Sequence, residues 1–205
     1  MNKQLATALS VIFQPLVMPT LTYIILFYYA PDLVSISDEV KLGLLILISL
    51  VTLVIPTISI LSMKWTGMIA SLEMQTKKER LIPFFTITVF YIISAYFFQQ
   101  RFNYDPMINL VFLTITGVIT VLSFITIFWK ISAHSAGLAG ILGFMIAWNA
   151  KFQQPSLLGP LVLVGLLTGA VMSARLYLDS HRPLEVLGGA IFGFASCAAA
   201  VYFYA

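Results

Sequence analysis

The sequence predicts an all-α integral membrane protein, a bundle of six or seven transmembrane helices forming a single domain over residues 1–205. Two observations carry that prediction. Of the 205 residues, 60% are hydrophobic and 9% charged, with a mean hydropathy of +0.98, whereas a soluble domain carries roughly 25% charged residues. The apolar residues are also gathered into runs that fit a hydrocarbon core of ~30 Å, which takes about 20 helical residues to cross.

The first run, 9–30, follows Met1-Asn2-Lys3. No small-x-small cleavage pattern follows it, so it reads as a retained first span. The second run, 41–63, contains Pro56, which should kink the helix as a matter of packing. The third, 83–99, is the shortest, the fourth covers 107–129, and the fifth, 132–150, is rich in Gly and Ala. Either the third or the fifth can therefore tilt or lie partly in the interface, which leaves six and seven spans both open. Runs 157–178 and 184–204 complete the set. Small residues on the fifth run (Ala136, Gly137, Ala139, Gly140, Gly143) and the last (Gly188, Gly189, Gly193, Ala195, Ala198) let helix backbones approach closely. Those two helices are expected to be neighbours. Aromatic residues near the run ends (Tyr28 and Tyr29, Trp65, Tyr96 to Phe98, Trp129, Trp148) read as interfacial belts, and Lys64 and Lys130 as headgroup anchors.

Several function classes are disfavoured at this level. The net charge of +3 is small and its cations sit in short loops, so nucleic acid is not an expected partner. The single cysteine, Cys197, can form neither an intrachain disulfide nor a thiolate metal site. The two histidines lack helical i,i+4 spacing and the carboxylates do not cluster, so no metal or other cofactor is expected.

Those two histidines are the most informative residues. Ser132-Ala133-His134 and Arg175-x5-His181-x3-Glu185 set them beside arginine, serine and a carboxylate in an apolar chain. An ionisable group at membrane depth is costly unless paired or hydrated, so such a cluster is a functional hypothesis by default. Two spans separate the basic stretch Lys77-Lys78-Glu79-Arg80 from His134, and two more separate His134 from His181. An even count returns the chain to the same face, so all three segments are expected at one membrane surface. Cations with two imidazoles suit phosphate chemistry, since Arg and Lys neutralise phosphoryl charge and imidazole serves as nucleophile or proton donor near neutral pH. Ser132 precedes a Gly/Ala-rich helix whose N-terminus can hold an anion. Glu185 can accept a ring N–H from His181 if a helix starts near Pro183, fixing the tautomer.

Ser132-Ala133-His134-Ser135-Ala136-Gly137 and the segment from Ala174-Arg175 through His181-Arg182-Pro183-Leu184-Glu185 resemble the second and third motifs of the type 2 phosphatidic acid phosphatase (PAP2) family, P-S-G-H and S-R-x5-H-x3-D. The similarity runs from about 77 to 193, and the third motif is the more specific part. The resemblance implies a PAP2/haloperoxidase-like helical core and metal-independent hydrolysis through a phosphohistidine. It implies that His181 is the nucleophile, His134 the acid for the leaving oxygen, and Glu185 the orienting carboxylate. Arg175, Ser132 and Ala133 would hold the phosphate, with Arg80 and Lys77 standing in for the first motif. Departures are visible: Ile131 for proline, Ala133 for glycine, Ala174 for serine and Glu185 for aspartate. In the first motif, K-x6-R-P, no lysine stands seven residues before Arg80, and Pro83 comes two residues late.

The expected activity is removal of a terminal phosphate from a lipid such as a phosphatidate, a phosphatidylglycerol phosphate or a polyprenyl diphosphate, in a multi-pass protein of a bacterial inner membrane. A lipid phosphotransferase and a non-catalytic anion or lipid binder or transporter are the alternatives. Bland readings stand beside the functional ones. Arg175 and His181 can be a helix-end pair reaching to headgroups, and His134 a hydrogen-bonded interfacial residue. Lys77, Lys78 and Arg80 can be lipid anchors, and Asp179 either an ion-pair partner of Arg175 or a solvated loop carboxylate. Counting every cation puts the site on the cytoplasmic side. Leaving out the proposed phosphate ligands makes the balance nearly even, and members of the resembled family commonly face outward in bacteria.

Overall fold

A computed structural model describes residues 2–72, 74, 77–101 and 105–204, with the side chains of Lys77, Lys78 and Arg101 outside the described set. Among the described residues the chain is all-helical, without strands. Six stretches are long and apolar enough to cross a membrane: Lys3–Tyr29, Asp38–Trp65, Glu79–Gln100, Pro106–Phe128, Pro155–Tyr177 and Pro183–Tyr202. That is the composition of a multi-pass membrane protein. The chain divides into two compact units, Met1–Ser35 with Ile131–Ala205, and Ile36–Lys130.

The first unit holds α1 (Lys3–Ile12), α2 (Met18–Tyr29), α7 (Ala133–Phe152), α8 (Leu158–Tyr177) and α9 (Pro183–Tyr202). The expected continuous span 9–30 is instead broken between α1 and α2. Gln14 precedes Pro15 and is extended (φ −63°, ψ 150°), because the proline ring disfavours helical geometry in the residue before it. The helix after His181 starts at Pro183, a first-turn position that needs no N–H.

α7 is the inner helix of this unit, packed by α2, α8 and α9, and it is not among the six apolar stretches. Its 20 residues would reach ~30 Å, but His134, Ser135, Asn149 and Lys151 lower its hydropathy. Neighbours cover what lipid would otherwise meet. Trp148, expected in an interfacial belt, is fully buried and stacked on Phe144 at 5.3 Å between ring centroids. A belt and a core both favour large aromatics at helix ends, and here core packing decides.

α7 and α9 run parallel. The contacts between them rise together along both helices. Ser132 N–H donates to Glu185 O at 3.1 Å, Gly189 faces Ser132, Gly193 faces Ala136, and Gly140 faces Cys197. At the far end Lys151 Nζ donates to Val201 O at 3.2 Å and to Tyr202 O at 3.3 Å, and also to Tyr204 O, neutralising the carbonyl end of α9. Because the two helices are parallel, with α8 between them in sequence, their N-terminal ends lie side by side. The expected neighbour relation of the two small-residue helices is thus realised as a close parallel pair.

The second unit holds α3 (Asp38–Ser49), α4 (Ile55–Trp65), α5 (Lys77–Arg101) and α6 (Pro106–Phe128). The expected disturbance at Pro56 takes the form of a π-helical turn over Leu50–Val54. Proline lacks the N–H that would bond the carbonyl four residues back, which belongs to Thr52. Tyr91 Oη donates to that carbonyl at 3.0 Å instead. α5 is longer than the expected 83–99, since Lys77 to Arg80 continue it as good helix formers, with Pro83 inside. Phe98, expected in a belt, is buried and stacks on Phe112 at 4.7 Å. The α5–α6 pair is pinned by a Thr88–Ser123 hydroxyl bond of 2.7 Å.

Candidate active site

His181 lies in the turn before α9, and Glu185 is the third residue of that helix. Glu185 Oε2 accepts from His181 Nδ1 at 3.1 Å and from the Arg182 N–H at 3.1 Å. Arginine has no acceptor to return the second bond from its side chain. Its carbonyl does so instead, accepting the Glu185 N–H at 3.0 Å. The carboxylate therefore caps α9 and holds the imidazole at once. The His181 side chain is 1% exposed and that of Glu185 10%. A carboxylate on Nδ1 fixes the ring proton there and makes Nε2 the unprotonated nitrogen of the neutral ring.

Ser132 caps α7. Its Oγ accepts from Ser135 N at 3.4 Å and Ser135 Oγ at 3.0 Å, while its N–H is spent on Glu185 O. The Ser132 hydroxyl proton remains as a donor, and Ala133 follows at the first helical position, where the N–H is not needed by the ladder of the helix. The backbone link from Ser132 to Glu185 joins the start of α7 to the first turn of α9. His134 Nε2 donates to the Ser10 carbonyl of α1 at 3.0 Å, since a carbonyl only accepts. That bond assigns the Nε2–H tautomer or the imidazolium.

Arg175 is half-buried in the last turn of α8. A tight turn separates it from His181 in the chain. Ser180 N–H bonds Arg175 O at 3.2 Å and Asp179 N–H bonds Leu176 O at 3.0 Å, a Schellman pair with Asp179 in the left-handed position at φ 49°. The x5 spacing is thus the length of one helix stop. Asp179 is solvent-exposed. Substituting Asp179 by valine is expected to lower stability by about 1–2 kcal/mol, because β-branched residues tolerate positive φ poorly, whereas glycine should be neutral or stabilising. Thermal unfolding of the two variants checks the ranking.

His181, His134, Glu185, Arg175, Ser132 and Ala133 all belong to the first unit, at the end where α7 and α9 begin. Arg80 and Lys77 belong to the second unit. Arg80 is buried and its Nε donates to Met74 O at 2.8 Å. Lys77 begins α5, and its side chain lies outside the described residues. Sequence reasoning missed Ser10 and Ser135. Ser135 had a visible signal, a second hydroxyl three residues after the cap, whereas Ser10 acts on His134 through a backbone carbonyl that no side chain announces. Comparison with known proteins adds no neighbour: no family model, no curated protein and no solved structure matches the chain.

Proposed function

We propose that the protein is a metal-independent membrane phosphatase of PAP2 type, acting on the terminal phosphate monoester or diphosphate of a lipid through a phosphohistidine. The observation that carries this reading is the buried His181–Glu185 pair at 3.1 Å, bonded into the start of α7 through Ser132. In the proposed reaction His181 Nε2 attacks phosphorus and forms the P–N bond as the P–O bond to the lipid breaks. His134 Nδ1 gives the departing oxygen its proton. Arg175, the Ser132 hydroxyl and the N–H groups at the start of α7 stabilise the charge on the phosphoryl oxygens. Water then attacks phosphorus, its proton passes back to His134, and the P–N electron pair returns to His181. The lipid tail would remain among apolar helix faces, and a bacterial inner membrane is the proposed setting.

The test is phosphate release by the purified full-length protein with a chelator present, from phosphatidate, phosphatidylglycerol phosphate and a polyprenyl diphosphate. Release from at least one lipid, dependent on His181, is expected. Equally slow release by wild type and His181→Ala on all three would overturn the enzyme reading in favour of a binder. Transfer of phosphate to an added acceptor alcohol in place of water would make it a phosphotransferase.

A further inference from the structure

Ser10 stands in the last turn of α1, outside the two histidine segments. Buried hydroxyls on the helices of this chain habitually turn back onto the carbonyl four residues earlier. Thr22, Thr52, Thr116, Thr126 and Thr168 all do so at 2.7 to 2.9 Å. Ser10 has the same option at the Ala6 carbonyl and does not take it. Its Oγ is buried without a hydrogen-bond partner, in a residue only 8% exposed. A buried hydroxyl left unmatched is costly and calls for an explanation.

Location supplies one. The carbonyl of this same residue accepts the His134 Nε2–H at 3.0 Å, so the unmatched hydroxyl is only a few covalent bonds from the carbonyl that holds the ring proposed as the proton donor. The unmatched indole N–H of Trp148, by contrast, is fourteen residues further along α7, or ~21 Å of helix. We propose that Ser10 is a further substrate-contacting residue whose hydroxyl donates a hydrogen bond to an oxygen of a phosphate group held beside His134. The ligand class rests on the phosphatase reading above. α1 then has two tasks at the site: its backbone orients His134 and its Ser10 side chain binds the anion that His134 serves.

The experiment compares wild type, Ser10→Ala and Ser10→Thr as full-length purified proteins in three measurements: inorganic phosphate binding by calorimetry, phosphate release from phosphatidate, and Tm. Ser10→Ala is expected to weaken phosphate affinity and kcat/KM about tenfold. It should leave Tm unchanged or higher, because it removes an unmatched buried polar group. Ser10→Thr, which keeps the hydroxyl, should recover most of the loss. A purely structural serine, or one that holds only a water, would show no change in phosphate affinity, or a loss that follows a fall in Tm. Either result overturns the proposal. If wild type hydrolyses phosphatidate in a His181-dependent way while Ser10→Ala matches it, only the Ser10 assignment fails. If wild type neither binds inorganic phosphate nor releases it from any of the three lipids named above, the phosphatase reading and the Ser10 assignment fail together.

Discussion

In the His181→Ala variant, phosphate release is expected to fall by more than about 10³-fold on every substrate, because the atom proposed to form the bond to phosphorus is gone. His134→Ala should behave differently. An acid that protonates the leaving oxygen matters in proportion to how poor the leaving group is. Removing His134 should therefore cost about 10²- to 10⁴-fold with a lipid alcohol, and far less with p-nitrophenyl phosphate, whose phenolate departs unaided. Glu185→Gln keeps an oxygen within reach of His181 Nδ1 and of the Arg182 N–H but loses the charge that stabilises the developing positive ring, so an intermediate loss is expected on both substrates. Initial rates on phosphatidate and on p-nitrophenyl phosphate, with thermal unfolding of each variant as a control, check the pattern. Equal losses for His181→Ala and His134→Ala on both substrates would remove the proposed division of labour. An acid-labile, base-stable phosphoenzyme in wild type that is lost in His181→Ala would place the covalent step on that nitrogen.

The parts of this arrangement that were legible in the sequence are those set by local spacing. Glu185 follows His181 by four residues and Pro183 marks a helix start, so a ring-to-carboxylate bond could be read before any coordinates. The small residues of 132–150 and 184–204 announced a close helix pair, because only small side chains let two backbones approach. Helix direction was accessible only by counting spans, and the parallel run of α7 and α9 now rests on direct contacts. What stayed hidden depends on groups without a sequence signature. The Ser10 carbonyl that meets His134 is one; the Thr52 carbonyl freed by Pro56 and taken by Tyr91 is another. Trp148 and Phe98 were misplaced for a different reason. An aromatic residue near a helix end is equally suited to a headgroup belt and to a core, and only the neighbours decide. The six-or-seven ambiguity likewise traces to α7, whose polar first turn lowers its hydropathy while its neighbours bury it.

Gly193→Val is expected to disrupt the helix pair on which the site stands. A Cβ at Gly193 would fall well inside contact distance of the Ala136 carbonyl oxygen, and one at Gly189 inside that of Ser132. Both obstacles are backbone, which cannot swing aside as a side-chain tip would. α9 would have to move away from α7, and the bond from Ser132 N–H to Glu185 O would stretch with it. Glu185 positions His181, so a packing change about two turns beyond Glu185 on α9 should reach the His181 ring. Overpacking of this kind costs about 1–3 kcal/mol, and more where the neighbour is rigid. Gly193→Val should therefore lower both Tm and activity, with Gly193→Ala less severe in each. Gly165→Ala on α8 is the internal control, since nothing lies within 4 Å of the Cβ it would add, and alanine in a helix interior is worth about 0.5–1 kcal/mol over glycine. Thermal unfolding in one detergent, with phosphate release measured in parallel, separates the two kinds of glycine. Were Gly193→Val as stable as Gly165→Ala, the close backbone contact between α7 and α9 would be ruled out, and with it the physical link between the two histidine motifs.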